Sequence, residues 1–105
     1  MRAASRLLQH SLRLTFFTHE HCTLCQPVKD VMSTVWDRRP FGYEEIDILA
    51  PENNKWKQLY EFDIPVLHVD RTSSSNGTTT AAARKLKHRW TQEQLEKVMD
   101  EVENS

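Results

Sequence analysis

The sequence predicts a single α/β domain in which a mixed four-stranded sheet carries helices on both faces. The apolar periodicities of strands and helices alternate in the order β-α-β-α-β-β-α along the 105 residues. The two cysteines, Cys22 and Cys25, are separated by two residues and lie where the first strand gives way to the first helix. Pro65 stands near the start of the third strand, where an interior strand rarely has a proline.

The composition limits the classes of protein to which the chain can belong. Hydrophobic residues make up 38% of the chain and charged residues 28%, which predicts a folded globular domain rather than a disordered segment. The net charge of −1 gives no overall field that would attract nucleic acid, and no apolar run is long enough to cross a bilayer. Two cysteines are too few for a disulfide framework, so we expect an intracellular, reducing compartment.

Residues 1–11 differ from the rest of the chain. They contain two arginines, two serines and no acidic residue, and their alanines and leucines fall on one helical stripe. That composition is typical of a mitochondrial transit peptide, and a basic N-terminal tail is the alternative. We therefore expect one folded domain over residues 12–105, in the mitochondrion in preference to the cytoplasm.

The first strand and the first helix follow from the spacing of their apolar residues. The strand, Leu12–Thr18, is rich in β-formers, and Phe16 and Phe17 point to opposite faces, as in a strand covered on both sides. The following segment has the apolar spacing of one helical face, and Pro40 and Gly42 end it. The residues of that face are Val28, Val31, Met32, Val35 and Trp36.

The middle of the chain predicts two strands around a short helix. The second strand spans Tyr43–Ile48, and Pro51 breaks the chain after it. Trp56 and Tyr60 mark the short helix, and Ile64–Asp70 is the third strand. The first two strands should be parallel, because a helix connects them.

The C-terminal third predicts a loop, a strand and a helix. Residues 71–80, with the sequence RTSSSNGTTT, form the loop, and a fourth strand over 84–90 should pair antiparallel with the third. Thr91 and Gln94 have the spacing of a capping box at the start of the last helix. The apolar face of that helix contains Leu95, Val98, Met99 and Val102.

The position of the cysteines predicts redox chemistry. A helix N-terminus has unpaired N–H groups and a partial positive charge, which stabilise a thiolate more than a thiol. Cys22 lies outside the first turn and is the predicted nucleophile. Cys25 lies inside the first turn, close enough to form a disulfide with Cys22, and is the predicted resolving thiol. Pro27 is tolerated only in the first turn, so the helix should begin near Leu24 or Cys25.

A metal site is the competing interpretation of the same stretch. His19, His21, Cys22 and Cys25 supply the nitrogen and sulfur ligands that zinc prefers. The two histidines are two residues apart at a strand end and need not converge on the thiols, and no second C-x-x-C follows. We therefore favour a redox pair and expect no metal.

These motifs together resemble a glutaredoxin-like protein of the thioredoxin superfamily. The resemblance runs from Leu12 to Val102 and rests on F-F-T before C-T-L-C, on E-E-I-D-I and on I-P-V-L. It implies a thioredoxin-like fold and thiol–disulfide exchange. It also implies a cis peptide bond before Pro65, packed beside Cys22 and Cys25, and a role for the Ile64 backbone in binding the substrate.

The chain departs from the glutaredoxin pattern at the positions that bind glutathione. His19 stands where a lysine is usual, which makes it a candidate substrate-binding residue, and a Gly-Gly turn is missing from 87–91. Thr23 and Leu24 replace the usual residues between the cysteines. Glutathione is therefore one candidate reductant, alongside protein thiols, and we expect no bound cofactor.

The resulting prediction is a monomeric thiol–disulfide oxidoreductase that acts on a thiol or disulfide substrate, with no nucleic-acid or membrane partner. The alternative is a non-catalytic thioredoxin-like binding module that holds a metal ion or an iron–sulfur cluster. His68, His88 and Asp47 are interpreted as ordinary strand residues, and the basic run 84–89 as a solvated strand edge.

Overall fold

The structure is a computed structural model that describes residues 11–72 and 79–104. The predicted order β-α-β-α-β-β-α is confirmed, with a short 3₁₀ helix, Pro51–Asn53, before the second α-helix. Residues 1–10, and with them nearly all of the predicted transit segment, lie outside the described residues, as do 73–78 of the polar loop. The elements are β1 Leu12–Thr18, α1 Cys25–Arg38, β2 Gly42–Asp47, α2 Asn54–Tyr60, β3 Val66–Arg71, β4 Arg84–Lys87 and α3 Gln92–Glu103.

The strands form a mixed sheet in the order β2-β1-β3-β4. β1 pairs with β2 in parallel and with β3 antiparallel, and β3 pairs antiparallel with β4. The predicted strand directions are therefore correct. The six residues Leu12–Phe17 of β1 are all buried, as expected for an interior strand covered on both faces.

Two hydrophobic clusters lie on the two faces of the sheet. Because successive strand residues point to opposite faces, Phe16 and Phe17 belong to different clusters. The larger cluster joins Phe16 to the apolar faces of α1 and α3, and the smaller one joins Phe17 to Tyr60 of α2. Cys25 belongs to the larger cluster, so the N-terminus of α1 is fixed against the sheet.

The structure moves the bounds of three strands. β2 spans Gly42–Asp47 rather than Tyr43–Ile48, and β3 ends at Arg71 rather than Asp70. β3 begins at Val66 rather than Ile64, because Pro65 has no N–H to donate to a sheet ladder. The bond between Ile64 and Pro65 is cis, as predicted. β4 ends at Lys87, and His88 is not a strand residue, because its φ of 69° lies in the left-handed region and interrupts the extended backbone.

The helix ends agree with the local signals. α1 begins at Cys25, which puts Pro27 in the first turn, and α1 ends at Arg38 before Pro40. At the start of α3, the Gln94 N–H donates to the Thr91 hydroxyl at 3.1 Å and the Thr91 N–H donates to the Gln94 side chain at 2.9 Å. The predicted capping box is confirmed. Over the described ranges, no helix combines the length and the apolar character needed to cross a membrane.

Candidate functional site

Cys22 and Cys25 form a disulfide at the junction of β1 and α1, with their Cα atoms 5.4 Å apart. A tight turn places them there: the Cys22 N–H donates to the His19 carbonyl at 3.2 Å, and the Cys25 N–H donates to the Cys22 carbonyl at 3.4 Å. Cys25 is the first residue of α1, as the sequence predicted from Pro27. The pair thus lies at the positive end of the helix dipole.

The two cysteines differ in burial. Cys25 is 5% exposed and belongs to the core cluster, whereas Cys22 is half-buried and packs at the edge of that cluster. The first turn of α1 contains no acidic residue, and Leu24 at the N-cap supplies no side-chain acceptor to the first N–H groups. The positive end of the helix is therefore not neutralised from within α1, and an incoming disulfide would meet Cys22 before Cys25.

Thr18 lies closer to Cys25 than the sequence suggested. Its hydroxyl oxygen is 2.9 Å from the Sγ atom of Cys25. Thr18 is the last residue of β1, and Cys25 opens the helix seven residues later. No strand or helix periodicity links the two positions, so sequence reasoning missed Thr18.

The proline segment borders the same part of the core. Ile64 is half-buried and packs against both hydrophobic clusters, and Cys22 packs against the larger one. Pro65 is buried, and its carbonyl accepts a hydrogen bond from the His88 N–H at 2.8 Å. Direct packing of Pro65 on the cysteines, and the role of the Ile64 backbone in substrate binding, stay predictions.

The two histidines near the cysteines have different surroundings. His19 is half-buried, and its Nδ1 atom accepts a hydrogen bond from the His21 N–H at 3.2 Å. The side chain of His21 is 82% exposed, with its Nε2 atom 3.9 Å from Glu20. Within residues 11–72 and 79–104, no three side chains of His, Cys, Asp or Glu are grouped so as to hold a metal ion.

A cavity of about 340 Å³ opens beside the disulfide, and its charged groups are mainly acidic. Its lining contains the carboxylates of Glu20, Glu45 and Asp47 and one ammonium group, that of Lys29. The Lys29 ammonium lies 2.9 Å from the Glu45 carboxylate. Partial burial raises the pKa of Glu45, but hydrogen bonds from Lys29 and Tyr43 outweigh it and leave the pKa below its usual value. The lining residues are Thr18, His19, Glu20, Cys22, Cys25, Gln26, Lys29, Glu45 and Asp47.

The other polar residues singled out by the sequence have local partners. Asp47 is exposed and accepts a hydrogen bond from the Leu49 N–H at 2.9 Å, as a solvated strand-end carboxylate does. On the basic run, Arg84 pairs with Glu101 at 2.6 Å and Lys87 pairs with Asp63 at 3.3 Å. These contacts agree with a solvated strand edge.

His68 is the exception, because the structure buries it completely. Its Nε2 atom lies 2.6 Å from the Tyr60 hydroxyl, and its Nδ1 atom lies 2.8 Å from the Thr79 hydroxyl. Thr79 in turn donates to Asp70 at 3.2 Å, and Asp70 forms a buried ion pair with Arg13 at 2.8 Å. This buried network contacts the cluster of Phe17 and Tyr60, on the opposite face of the sheet from Cys25.

Comparisons with known proteins agree with this architecture. The model of the family described as Glutaredoxin-like domain (DUF836) matches residues 13–100. A curated relative, the glutaredoxin-like protein YDR286C homolog of Dictyostelium discoideum, is 31% identical over 65 residues. That alignment covers 58% of this chain and 60% of the relative, so the chain matches less than two thirds of the relative's length.

Two solved thioredoxins show the same fold. A mutant thioredoxin from Halobacterium salinarum superposes with a TM-score of 0.62 at 17% identity, over 89% of this chain and 75% of that one. Thioredoxin O2 of Arabidopsis thaliana in its oxidized state superposes with a TM-score of 0.60 at 17% identity, over 96% of this chain and 84% of that one. The chain therefore has a thioredoxin-like fold and belongs to the glutaredoxin-like domain family.

Proposed function

We propose that the protein is a thiol–disulfide oxidoreductase in which Cys22 attacks the substrate and Cys25 resolves the mixed disulfide. The observation that supports this most strongly is the unequal pair itself. One cysteine is half-buried at the positive end of a helix, and the other is buried behind it within bonding distance. Membership of the glutaredoxin-like family agrees with this chemistry.

The reaction begins with the reduced protein. The Cys22 thiolate attacks one sulfur of a substrate disulfide, forms a mixed disulfide and releases the other sulfur as a thiolate, which takes a proton from water. The Cys25 thiolate then attacks the Sγ atom of Cys22. This forms the Cys22–Cys25 bond and releases the second substrate thiol. Two electrons have passed from the protein to the substrate, and a thiol reductant must return them in the next cycle.

The burial of the cysteines supports this assignment of roles. A half-buried Cys22 can be approached by another disulfide, whereas Cys25, 5% exposed, is accessible mainly to its neighbour. In this proposal the Ile64 backbone pairs with the substrate beside Pro65. His19, which lines the cavity beside the cysteines, also contacts the substrate in this proposal.

The proposed substrate is a thiol or disulfide in a protein, and glutathione is a candidate reductant of lower affinity. Glutathione has two carboxylates, and the cavity presents Glu20, Glu45 and Asp47. Lys29, the cation of the lining, is already paired with Glu45 at 2.9 Å. Like charges that face each other disfavour binding, so a substrate with few carboxylates suits this site better.

Two single-cysteine variants test the assignment of roles. The reduced Cys22→Ser and Cys25→Ser proteins are each mixed with glutathione disulfide, and their intact masses are measured over time. The Cys25→Ser protein should gain one glutathione and keep it, because Cys22 attacks and no neighbour resolves the adduct. The Cys22→Ser protein should react slowly, because Cys25 is buried.

The result also separates an enzyme from a non-catalytic binding module. The parent protein should return to its intramolecular disulfide after transient formation of the adduct. Equal adduct formation by both variants would contradict the assigned roles. A complete absence of adducts in the two variants and the parent would favour a binding module.

A further inference from the structure

We propose that Thr18 is a positioning residue of the redox site, whose hydroxyl donates a hydrogen bond to the Sγ atom of Cys25 and so favours the thiolate form of that cysteine. This inference rests on the proposed function, because it concerns the resolving step. Thr18 is half-buried at the end of β1 and lines the cavity that contains both cysteines.

The geometry identifies the hydroxyl as the donor. The Thr18 oxygen and the Cys25 Sγ atom are 2.9 Å apart, and Cys25 has no S–H while it is part of the disulfide. Among the described residues, the Thr18 hydroxyl has one other acceptor, the His19 carbonyl at 3.4 Å, which lies beyond the usual range for a hydrogen bond between oxygen atoms. The Thr18 hydroxyl therefore donates its hydrogen bond to the Sγ atom of Cys25.

The contact matters because of where Cys25 lies. At 5% exposure, in a cluster with Val28 and Met32, a free Cys25 thiolate has little contact with water. Burial in apolar surroundings disfavours the thiolate, and a hydrogen bond donated to the charged form opposes that effect. Bonds to a charged acceptor are roughly twice as strong as bonds between neutral groups, so the Thr18 contact should strengthen when the disulfide opens.

The effect falls on one step of the proposed cycle. In the mixed disulfide, Cys25 gives its proton to water and attacks the Sγ atom of Cys22. The Cys22–Cys25 bond forms, the bond between Cys22 and the substrate sulfur breaks, and the departing thiolate takes a proton from water. Thr18 keeps its own proton throughout and acts only on the fraction of Cys25 that is ionised.

The first test isolates Cys25 and needs no turnover. In a Cys22→Ala background, the pKa of Cys25 is obtained from its alkylation rate as a function of pH. Thr18→Val removes the hydroxyl and keeps the shape of the side chain, and it should raise the pKa of Cys25 by about one unit. Thr18→Ser keeps the hydroxyl and should retain the parent value. The same midpoint in the Val and Ser proteins would overturn the inference.

The second test measures resolution in the protein with both cysteines. The smaller thiolate fraction, partly offset by the higher nucleophilicity of the more basic thiolate, should make release of the mixed disulfide about threefold slower in Thr18→Val at pH 7. At alkaline pH, where Cys25 is ionised in both proteins, Thr18→Val should be no slower than the parent, whereas a merely structural defect would persist. A parent protein that never resolves the adduct would contradict the proposed function. In that case the titration of Cys25 would still test the effect of Thr18 on the pKa of Cys25. If Thr18→Val changes the circular-dichroism spectrum, Thr18→Ala removes the same hydroxyl with a smaller side chain.

Discussion

The Tyr60 hydroxyl donates a hydrogen bond to the Nε2 atom of His68 across 2.6 Å in the interior of the protein. The direction of this hydrogen bond follows from the hydrogen bonds that join His68 to Thr79 and Thr79 to Asp70. The Asp70 carboxylate accepts from Thr79, so the Thr79 oxygen must accept from the Nδ1–H of His68. Burial lowers the pKa of His68 and keeps the imidazole neutral, so Nε2 has no proton and accepts from the Tyr60 hydroxyl.

This arrangement predicts a loss of stability in mild acid. Burial lowers the pKa of His68 to about 4, helped by Lys85 and Lys87 and opposed by Asp70. The unfolded chain binds a proton near pH 6.5, but the folded protein does not until about pH 4, so the free energy of unfolding falls between these values. The His68 contribution to this loss should be about 3 kcal/mol.

Denaturant unfolding of the parent and of His68→Gln, measured from pH 7 to pH 4, checks this. Glutamine cannot become charged, so the variant should lack the His68 contribution to the slope, although it starts less stable at pH 7. Parallel pH profiles of the two proteins would show that His68 is not held neutral.

The capping box at the start of α3 predicts a modest and specific mutational effect. Thr91→Ala removes the hydroxyl that accepts from the Gln94 N–H at 3.1 Å. Loss of an N-cap side chain costs about 1 kcal/mol. The urea midpoint should fall in Thr91→Ala and stay near the parent value in Thr91→Ser, and equal midpoints for the Ala and Ser proteins would refute the cap.

The acidic cavity predicts that charge controls the reaction with glutathione disulfide. Glu45→Gln removes a carboxylate and also frees the Lys29 ammonium 2.9 Å away. The bimolecular rate at low ionic strength should rise a few-fold, and the gain should shrink at high salt because surface charges are screened. Glu61 does not line the cavity, so Glu61→Gln is the matched control and should leave the rate unchanged. A gain of the same size in both variants would reject the charge argument.

Folding should not require zinc. The apolar faces of α1 and α3 already fill the larger cluster, with Val28, Val35, Leu95 and Met99 buried. The reduced protein should therefore keep its helical circular-dichroism signal in a strong chelator. A loss of that signal that zinc restores would reinstate the metal-binding interpretation of the two histidines and two cysteines.

The sequence predicted the elements whose signal is local and periodic. The β-forming residues of β1, the apolar face of α1 and the Thr91–Gln94 spacing each determine a structure within a few residues. The start of β3 and the end of β4 were misplaced because of single residues. The missing N–H of Pro65 and the positive φ of His88 do not alter the apolar pattern around them.

The same distinction between local and non-local signals applies to the candidate site. Only two residues separate Cys22 from Cys25, so their pairing could be predicted from the sequence. Thr18 and His68 could not be assigned, because their contacts join residues seven to eleven positions apart on different elements. A hydrogen-bond partner at such a separation depends on how the elements pack, which the apolar pattern of one element does not encode.

The most direct test of the central claim is the ionisation of Cys22. In the reduced Cys25→Ser protein, Cys22 is the one remaining thiol, and its alkylation rate against pH gives its pKa. The N-terminus of α1 should lower that pKa into the range of about 3.5–7.5, so the rate should reach its plateau near or below neutral pH. A midpoint near 8.5, the value of a free thiol, would contradict the assignment of Cys22 as the attacking thiolate.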